Sequence, residues 1–350
     1  MTQIPRPEHP QPQMKREHWK NLNGEWDFSF DFGCSGIDQK WQEGKTDWEK
    51  KILVPFCPES DLSGIGYKDF LPGVWYHRTI TLTGEELKGD LLLHFGAVDY
   101  DARVWINGVE AGRHQGGYVS FAFNITKLVK EGENDITLFA ADDVRGGKQP
   151  KGKQSHFFYS RGCDYTRTTG IWQTVWLEWV PESYIKKVQY YPNLAEATLG
   201  IKAVVKGQGT LEAKAFYGGE PCGSVSAKSE GGTVTMTLPL SRLEKWEPGH
   251  GRLYDLTLTY GEDKVESYFG MREVRLDGEK FLINDKSVFQ RLVLDQGFYP
   301  DGIYTAPTEE ALVKDVELSM AAGFNGARLH QKVFCLLYTS PSPRDYAASR

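Results

Sequence analysis

The stretch of residues 97–143 constrains the fold more than any other, because it alternates and turns at short intervals. Between Tyr100 and Ile106 every second side chain is apolar, the pattern of a strand with one buried face. Asn107-Gly108 follows at once, and this pair readily adopts the positive φ angles of a tight hairpin turn. Turn signals recur near Gly117 and Gly132. Short strands at this spacing predict an antiparallel sandwich or jelly roll.

Length and charge limit the number of domains and the classes of partner that the chain can have. The 350 residues predict two or three domains, and the net charge of −6 argues against a nucleic-acid partner. The aromatic share of 13% suits sandwich cores, and aromatic faces can also stack on sugar rings. The five cysteines show no metal-ligand spacing, which predicts free thiols and a cytoplasmic protein. Neither a signal peptide nor an apolar run of about 18 residues is visible, so no membrane partner is expected.

The pattern of predicted strands changes at two points, residues 144 and 183. Residues 144–161 form a long polar loop, and such loops are often functional. From residue 183 to 272, strands separated by Gly-rich turns predict a small immunoglobulin-like sandwich. The five predicted strands are Val188–Tyr191, Ala197–Val205, Leu211–Phe216, Thr233–Leu238 and Tyr254–Thr259.

After residue 273 the pattern is strand, helix, strand. Strands are predicted at 281–283 and 288–293, followed by a helix that Thr308 caps and Gly323 ends. A further strand is predicted at 324–330. This order is typical of the start of a βαβ unit with a parallel sheet.

Several motifs in this order resemble glycoside hydrolase family 2, the family of β-galactosidase, β-glucuronidase and β-mannosidase. They are Leu22-Asn23-Gly24-Glu25-Trp26, Val54-Pro55-Phe56, Val74-Trp75-Tyr76-His77-Arg78, Trp105-Ile106-Asn107-Gly108, His114-Gln115-Gly116-Gly117-Tyr118, and the run from Tyr165 to Gln173. The resemblance implies a mainly β chain with a jelly-roll sugar-binding domain at 1–182 and an immunoglobulin-like sandwich at 183–273. It also implies the truncated start of a (β/α)₈ TIM barrel at 274–334.

The resemblance further implies retaining hydrolysis of terminal β-glycosides by two barrel glutamates, with a β-galactosidase-like activity expected. In the family these glutamates lie late in the barrel, so no catalytic carboxylate is predicted among these 350 residues, and the fragment is expected to be inactive. No cofactor is required by the sequence, although Mg²⁺ or Na⁺ would fit the family. A carbohydrate substrate and a homo-oligomer of the intact protein are expected. The alternative is a non-catalytic carbohydrate-binding β-sandwich protein.

Five residues are candidate substrate-binding groups. Arg328 and His330 end the second barrel strand, where barrel active sites are built. Asp295 follows the first barrel strand, and Asp142 and Asp143 end a sandwich strand before the long loop. Each of the five could equally serve a structural role, such as a salt bridge or a turn. Arg167 and Trp172 are interpreted as structural residues that tie the loop to the sandwich.

The last 16 residues depart from the pattern. Cys335 begins a segment with two prolines and two serines where the family would continue with a helix. The segment 335–350 resembles translated sequencing-adapter read-through, and we interpret it as a non-native tail.

Overall fold

A computed structural model describes residues 4–333, and within them the chain is mainly β, with 24 strands and one α-helix. It divides into two compact units. Among the described residues, the first comprises 4–8, His18–Trp179 and Gln296–Ala311, and the second comprises His9–Glu17, Val180–Asp295 and 312–333. The predicted tail, 335–350, lies outside the described residues. The domain boundaries drawn from the sequence remain a prediction.

The first unit is built on a six-stranded antiparallel sheet and a four-stranded sheet. The six strands, in spatial order, are Lys50–Val54, Gly24–Phe30, Gly73–Leu82, Gly132–Ala141, Asp101–Ile106 and Val109–Gln115. The four are Trp19–Asn21, Val175–Val180, Asp90–Phe95 and Phe121–Asn124. Val98–Asp99 and Gly170–Ile171 form a separate antiparallel pair. Short 3₁₀ turns lie at Trp41–Glu43, Asp61–Ser63 and Glu85–Leu87.

Alternation along these strands builds the core between the sheets. Leu138 pairs with Tyr76 on one side and with Val104 on the other, and all three are fully buried. Leu93 and Leu177 of the four-stranded sheet belong to the same apolar cluster. Because both sheets contribute their inward-facing residues, the predicted sandwich is confirmed.

The hairpin predicted at Asn107-Gly108 is present. Both residues have positive φ, 51° and 79°, and the strands on either side pair as a hairpin. The side chain of Asn107 adds local support, since its amide donates to Leu128 O and its oxygen accepts from Asp135 N. Asn and Gly tolerate this conformation, so the turn follows from the local sequence.

The second unit contains a smaller sandwich of seven strands. One antiparallel sheet has the order Tyr184–Asn193, Thr198–Lys206, Gly232–Pro239, and the other has the order Glu220–Ser229, Gly209–Tyr217, Tyr254–Tyr260, Asp263–Phe269. The five predicted strands are all present. The two additional strands, Glu220–Ser229 and Asp263–Phe269, are the edges of the four-stranded sheet. Seven strands in two sheets match the immunoglobulin-like expectation.

This smaller sandwich encloses a buried ion pair. Arg16 Nε and Nη2 donate to the two carboxylate oxygens of Asp263 at 2.8 and 2.9 Å. Ile185 N donates to Asp263 at 2.8 Å, and Arg16 also donates to Ile185 O at 2.6 Å. Both side chains are buried, so the charges are paired and hydrogen-bonded as burial requires.

The segment after residue 273 contains a small antiparallel sheet and the predicted strand–helix–strand unit. The small sheet comprises Val274–Asp277, Lys280–Ile283 and Lys286–Ser287. Leu292–Asp295 and Gly326–Leu329 pair in parallel, and the helix Glu309–Ala321 lies between them in the sequence. Thr308 Oγ1 accepts from Ala311 N at 3.2 Å, which confirms the predicted cap.

The strand predicted at 288–293 lies instead at Leu292–Asp295. The Asn325 side chain occupies the backbone groups that a longer strand would use. Its oxygen accepts from Arg291 N at 2.7 Å, and its amide donates to Phe289 O at 2.9 Å. These hydrogen bonds hold residues 289–291 outside the sheet.

The sequence predicts no membrane-spanning segment and predicts free cysteine thiols. Among residues 4–333 no helix is long and apolar enough to cross a membrane. Four cysteines in this part of the chain are free thiols: Cys34 and Cys163 are exposed, and Cys57 and Cys222 are buried.

Candidate functional site

The carboxyl end of the parallel strand pair gathers three of the predicted site residues. Asp295 lies opposite Leu329 in the register, and His330 N donates to Asp295 O at 2.9 Å. Arg328 and His330 therefore leave the second strand beside the end of the first. This is the edge of a parallel sheet at which side chains of neighbouring strands can act on one ligand.

The Arg328 and His330 side chains contact each other directly. Arg328 Nη1 lies 2.8 Å from His330 Nδ1. A guanidinium group can only donate, so Nδ1 is the acceptor and the imidazole carries its proton on Nε2. The imidazole is thereby oriented by a neighbour, with Nε2–H as its donor.

Lys332 adds a cation that the sequence analysis did not select. It is buried, and burial lowers the pKa of its ammonium group to about 7, while nearby Asp295 opposes that shift. Lys332 is therefore close to half-charged at neutral pH. A lysine three residues after a strand carries no distinctive local pattern, so only its burial identifies it.

Asp142 and Asp143, the other two predicted residues, lie in the first unit and have different surroundings. Asp142 is buried and accepts from Gln149 Nε2 at 2.6 Å and from Thr169 Oγ1 at 3.0 Å. Asp143 is exposed, and its backbone N–H donates to Gln149 Oε1 at 3.0 Å. The five candidates therefore fall into two groups, one in each unit.

Asp142 belongs to a buried carboxyl cluster, which we define as Glu59, Asp99 and Asp142. Thr169 bridges two of its members, because its N–H donates to Glu59 Oε2 at 3.1 Å and its hydroxyl donates to Asp142. Asp99 Oδ2 accepts from Gln154 Nε2 at 2.6 Å. The other oxygens, Glu59 Oε1 and Asp99 Oδ1, accept no hydrogen bond from any described residue.

Burial governs the charge of this cluster. It raises the pKa of Glu59 to about 8 and that of Asp142 to about 6, and it raises the pKa of Asp99 well above its usual range. The carboxyls also raise one another's pKa by repulsion. At pH 7 Glu59 is therefore mostly neutral and Asp142 is mostly ionised, and burial favours the neutral form of Asp99.

Glycine is needed beside this cluster. At Gly117 a Cβ atom would lie 2.3 Å from Asp99 Oδ1, which is far inside van der Waals contact. Gly117 O also accepts from Trp172 Nε1 at 2.7 Å. The Gly116-Gly117 turn signal thus marks a close approach of backbone to a buried carboxyl group.

Arg167 interacts electrostatically with Glu59 and Asp142 of the cluster, and its guanidinium group binds backbone carbonyls. Its guanidinium donates to Ser155 O at 3.1 Å and also to Phe157 O and Lys68 O. These contacts tie the long loop to the sandwich, and Trp172 is fully buried. Both observations agree with the structural role inferred from the sequence.

A complete cation site does not emerge from these groups. In the part of the chain that the structure describes, no three His, Cys, Asp or Glu side chains are arranged to hold a metal ion. The expectation that Mg²⁺ or Na⁺ binds stays a prediction that the family resemblance implies.

Sequence reasoning missed Glu59 and Asp99 in the first unit and Lys332 in the second. Asp99 falls on the polar side of the alternating strand, where exposure would be expected, yet it is fully buried. Glu59 follows a proline in an irregular segment and carries no periodic signal. Their burial results from contacts with the distant segment around Thr168, which a local pattern does not show.

Comparison with known proteins agrees with this architecture. Residues 19–181 match the family described as glycosyl hydrolases family 2, sugar binding domain. A β-glucuronidase from Paenibacillus borealis is 24% identical over 286 residues, which is 77% of this chain and 48% of the relative. A β-glucuronidase from Sus scrofa is 27% identical over 80% of this chain and 48% of the relative. A β-galactosidase from Lactococcus lactis is 25% identical over 88% of this chain and 32% of the relative.

Solved structures show the same fold. The Ruminococcus gnavus β-glucuronidase in complex with D-glucuronic acid superposes with a TM-score of 0.75 at 21% identity, covering 90% of this chain and 56% of that one. Its complex with N1-substituted uronic isofagomine gives a TM-score of 0.78 over 91% and 57%. This chain spans about half the length of the β-glucuronidases it matches. Residues 19–181 are thus similar to the sugar-binding domain of glycosyl hydrolases family 2, the family that the sequence motifs resemble.

Proposed function

We propose that this chain is the N-terminal part of a retaining, exo-acting β-glycosidase. The observation that carries the proposal is the parallel strand pair Leu292–Asp295 and Gly326–Leu329, which follows the two sandwiches. A purely sugar-binding protein has no use for a strand–helix–strand unit. A (β/α)₈ barrel begins with one, and it builds its active site at the carboxyl ends of its strands.

Retaining hydrolysis needs two carboxyl groups about 5–5.5 Å apart, one as acid and base and one as nucleophile. By resemblance to the family, both belong to later strands of the barrel. The groups of this chain would bind the sugar. The oriented imidazole of His330 donates from Nε2, Asp295 accepts from hydroxyl groups, and Lys332 supplies a cation for an anionic oxygen.

Two sugars follow from the relatives, which are named β-glucuronidases and β-galactosidases. A terminal β-glucuronide carries a carboxylate, and a terminal β-galactoside carries a hydroxymethyl group in its place. We propose one of these two sugars as the substrate. Cytoplasmic location and assembly into a homo-oligomer remain part of the same proposal.

The decisive experiment is to sequence the source DNA beyond codon 334 and assay the longer product. Nitrophenyl β-galactoside, β-glucuronide and β-mannoside are the substrates. We expect turnover of at least one, and we expect His330→Ala to lower kcat/KM about 100-fold, as loss of a positioned donor does. His18→Ala, at an exposed position, is the matched control. A longer product without a barrel, or one that hydrolyses none of the three, would contradict the proposal.

The 350-residue chain itself is expected to be inactive, because the family resemblance assigns both glutamates to later barrel strands. The purified chain is tested on the same three substrates. Turnover that is abolished by Asp295→Asn would show that catalysis resides within this chain and would overturn the expectation.

A second candidate function is a non-catalytic carbohydrate-binding protein. It is favoured by exposed aromatic rings in the first unit, at Phe158 and Tyr159. The two candidate functions differ in the nitrophenyl glycoside assay. A binding protein would bind oligosaccharides, but its longer gene product would release no nitrophenol.

A further inference from the structure

The long loop of the first unit has an unusual charge. Residues 144–163 contain five cations and no carboxylate, although the whole chain carries a net charge of −6. The five are Arg145, Lys148, Lys151, Lys153 and Arg161. Lys151 is partly compensated by Asp164 at 3.7 Å. The remaining four cations make this loop a local positive surface on an acidic protein.

The same loop exposes aromatic rings. Phe158 is 63% exposed and Tyr159 is 62% exposed, whereas the large aromatic residues of the sandwich core are fully buried. Phe70 lies beside them, with its ring 5.0 Å from that of Phe158 in an edge-to-face arrangement. The Arg145 guanidinium lies 4.0 Å from the Phe70 ring centroid. The Arg161 guanidinium lies 4.9 Å from the Phe157 ring centroid, and the Phe157 ring stacks with that of Tyr159 at 6.0 Å. Each exposed ring is thus separated from a guanidinium group by one other ring.

The loop holds its rings on a fixed backbone. Arg167, fully buried, donates to the carbonyls of Ser155 and Phe157 within the loop and to Lys68 O outside it. Ser155 Oγ donates to Tyr159 O at 2.9 Å. A surface whose backbone is already ordered loses less conformational entropy when a ligand binds. Exposed rings on such a loop therefore have the features of a preformed binding surface.

We propose that this basic aromatic surface, defined as Phe70, Arg145, Phe158, Tyr159 and Arg161, binds an acidic carbohydrate, a glycan that contains uronic acid residues. The exposed rings of Phe158 and Tyr159 offer stacking faces to the apolar faces of pyranose rings, and the guanidinium groups match the geometry of a uronate carboxylate. The inference rests on the carbohydrate class of the proposed function and narrows it to acidic glycans. Neutral sugars would use the rings but leave the arginines without a partner.

The test is calorimetric titration of the 350-residue chain with two oligosaccharides of equal length and linkage, one with uronic acids and one neutral. We expect the acidic oligosaccharide to bind at least about tenfold more tightly, a difference of about 1.4 kcal/mol. Polyglutamate serves as a polyanion without sugar rings and should bind more weakly than the acidic oligosaccharide. This comparison of ligands is decisive on the unaltered protein.

Variants locate the site. Phe158→Ala with Tyr159→Ala, and separately Arg145→Gln with Arg161→Gln, should each weaken acidic-oligosaccharide binding about tenfold or more. The matched controls are Tyr191→Ala, an exposed ring in the second unit, and Lys187→Gln with Lys202→Gln, two exposed cations there. These controls should bind like the unaltered chain.

Three results would overturn the inference: no binding of the acidic oligosaccharide, equal binding of the neutral one, or polyglutamate binding that the aromatic variant leaves unchanged. None of these results bears on hydrolysis. A longer product that cleaves nitrophenyl glycosides would still support the proposed function if the surface failed to bind.

Discussion

The two sandwiches bury carboxyl groups in opposite ways. In the smaller one Asp263 accepts two hydrogen bonds from Arg16 and one from Ile185 N. In the larger one Glu59 and Asp99 each keep one oxygen without a hydrogen bond from the described residues. A paired charge of the first kind ties chain segments together. Carboxyls of the second kind are kept neutral by burial, which makes their surroundings sensitive to pH.

This difference is informative because proteins rarely keep unpaired buried carboxyls without a purpose. The loop that carries the basic aromatic surface contacts the cluster, because Gln154 of the loop donates to Asp99. Thr168 and Thr169 contact the cluster through Gln154 and Asp142, and the adjacent Arg167 holds the loop carbonyls. The same contacts therefore connect the buried carboxyl cluster to the backbone of the loop.

The largest expected effect comes from breaking the pair in the smaller sandwich. Arg16→Met leaves Asp263 buried without its cation and should lower the free energy of unfolding of the second unit by about 3–5 kcal/mol. Amide exchange in the strand Tyr254–Tyr260 reports on this unit. Arg16→Met with Asp263→Leu removes both charges and should cost less than the single change. Equal or greater loss in the double variant would contradict the account.

The next largest expected effect is the pH dependence of the stability of the larger sandwich. A carboxyl with a raised pKa keeps its proton when folded, whereas the unfolded chain releases it above about pH 4.5. Stability of the first unit should therefore fall as pH rises from 4.5 toward 8, by up to about 1.4 kcal/mol per pH unit for each such group. Tryptophan fluorescence follows this unit, because all tryptophans except Trp246 lie in it.

Glu59→Gln sharpens this prediction. A neutral amide does not titrate, so the stability of the variant should depend less on pH. Relative to the unaltered chain, the variant should become more stable as the pH approaches 8. Glu133→Gln, at an exposed strand position, is the control and should leave the slope unchanged. A stability that rises between pH 5 and 8 would mean that the cluster is ionised in the folded protein.

The smallest effect concerns two adjacent threonines. Thr169→Val removes the hydroxyl that donates to Asp142 and should cost about 1–2 kcal/mol, with the larger loss at pH 7, where Asp142 is ionised. Thr168→Val is the matched control, because the Thr168 hydroxyl makes no hydrogen bond to the described residues. Equal costs for the two variants, measured by chemical denaturation, would contradict the assigned contact.

Local signals predicted much of this molecule. The Asn107-Gly108 turn, the Thr308 cap and the βαβ order each follow from a few adjacent residues. The missed strand Glu220–Ser229 lies at a sheet edge and is rich in serine and glycine, so its alternation is weak. The missed strand Asp263–Phe269 alternates buried and exposed residues, but two of its buried residues, Asp263 and Ser267, are polar, so the sequence shows no alternation of apolar residues.

The candidate site was less predictable. Asp295, Arg328 and His330 were placed at one strand edge because parallel strands align their carboxyl ends. Glu59, Asp99 and Lys332 were not found, because their burial depends on segments that are distant in the sequence. Asp142 was selected as a sugar ligand, and its contacts with Thr169 and Gln149 now place it in the buried carboxyl cluster, where its role in binding remains a prediction.

The most direct test of the contrast between the two sandwiches is a carbon-13 NMR titration of the side-chain carboxyl groups between pH 4 and 9. Assignment uses Glu59→Gln and Asp99→Asn. The account predicts that Glu59 titrates near pH 8 and that the pKa of Asp99 lies well above the usual range of an aspartate. If both carboxyls are fully ionised by pH 6, the buried carboxyl cluster is charged like Asp263, and the contrast between the two sandwiches is wrong.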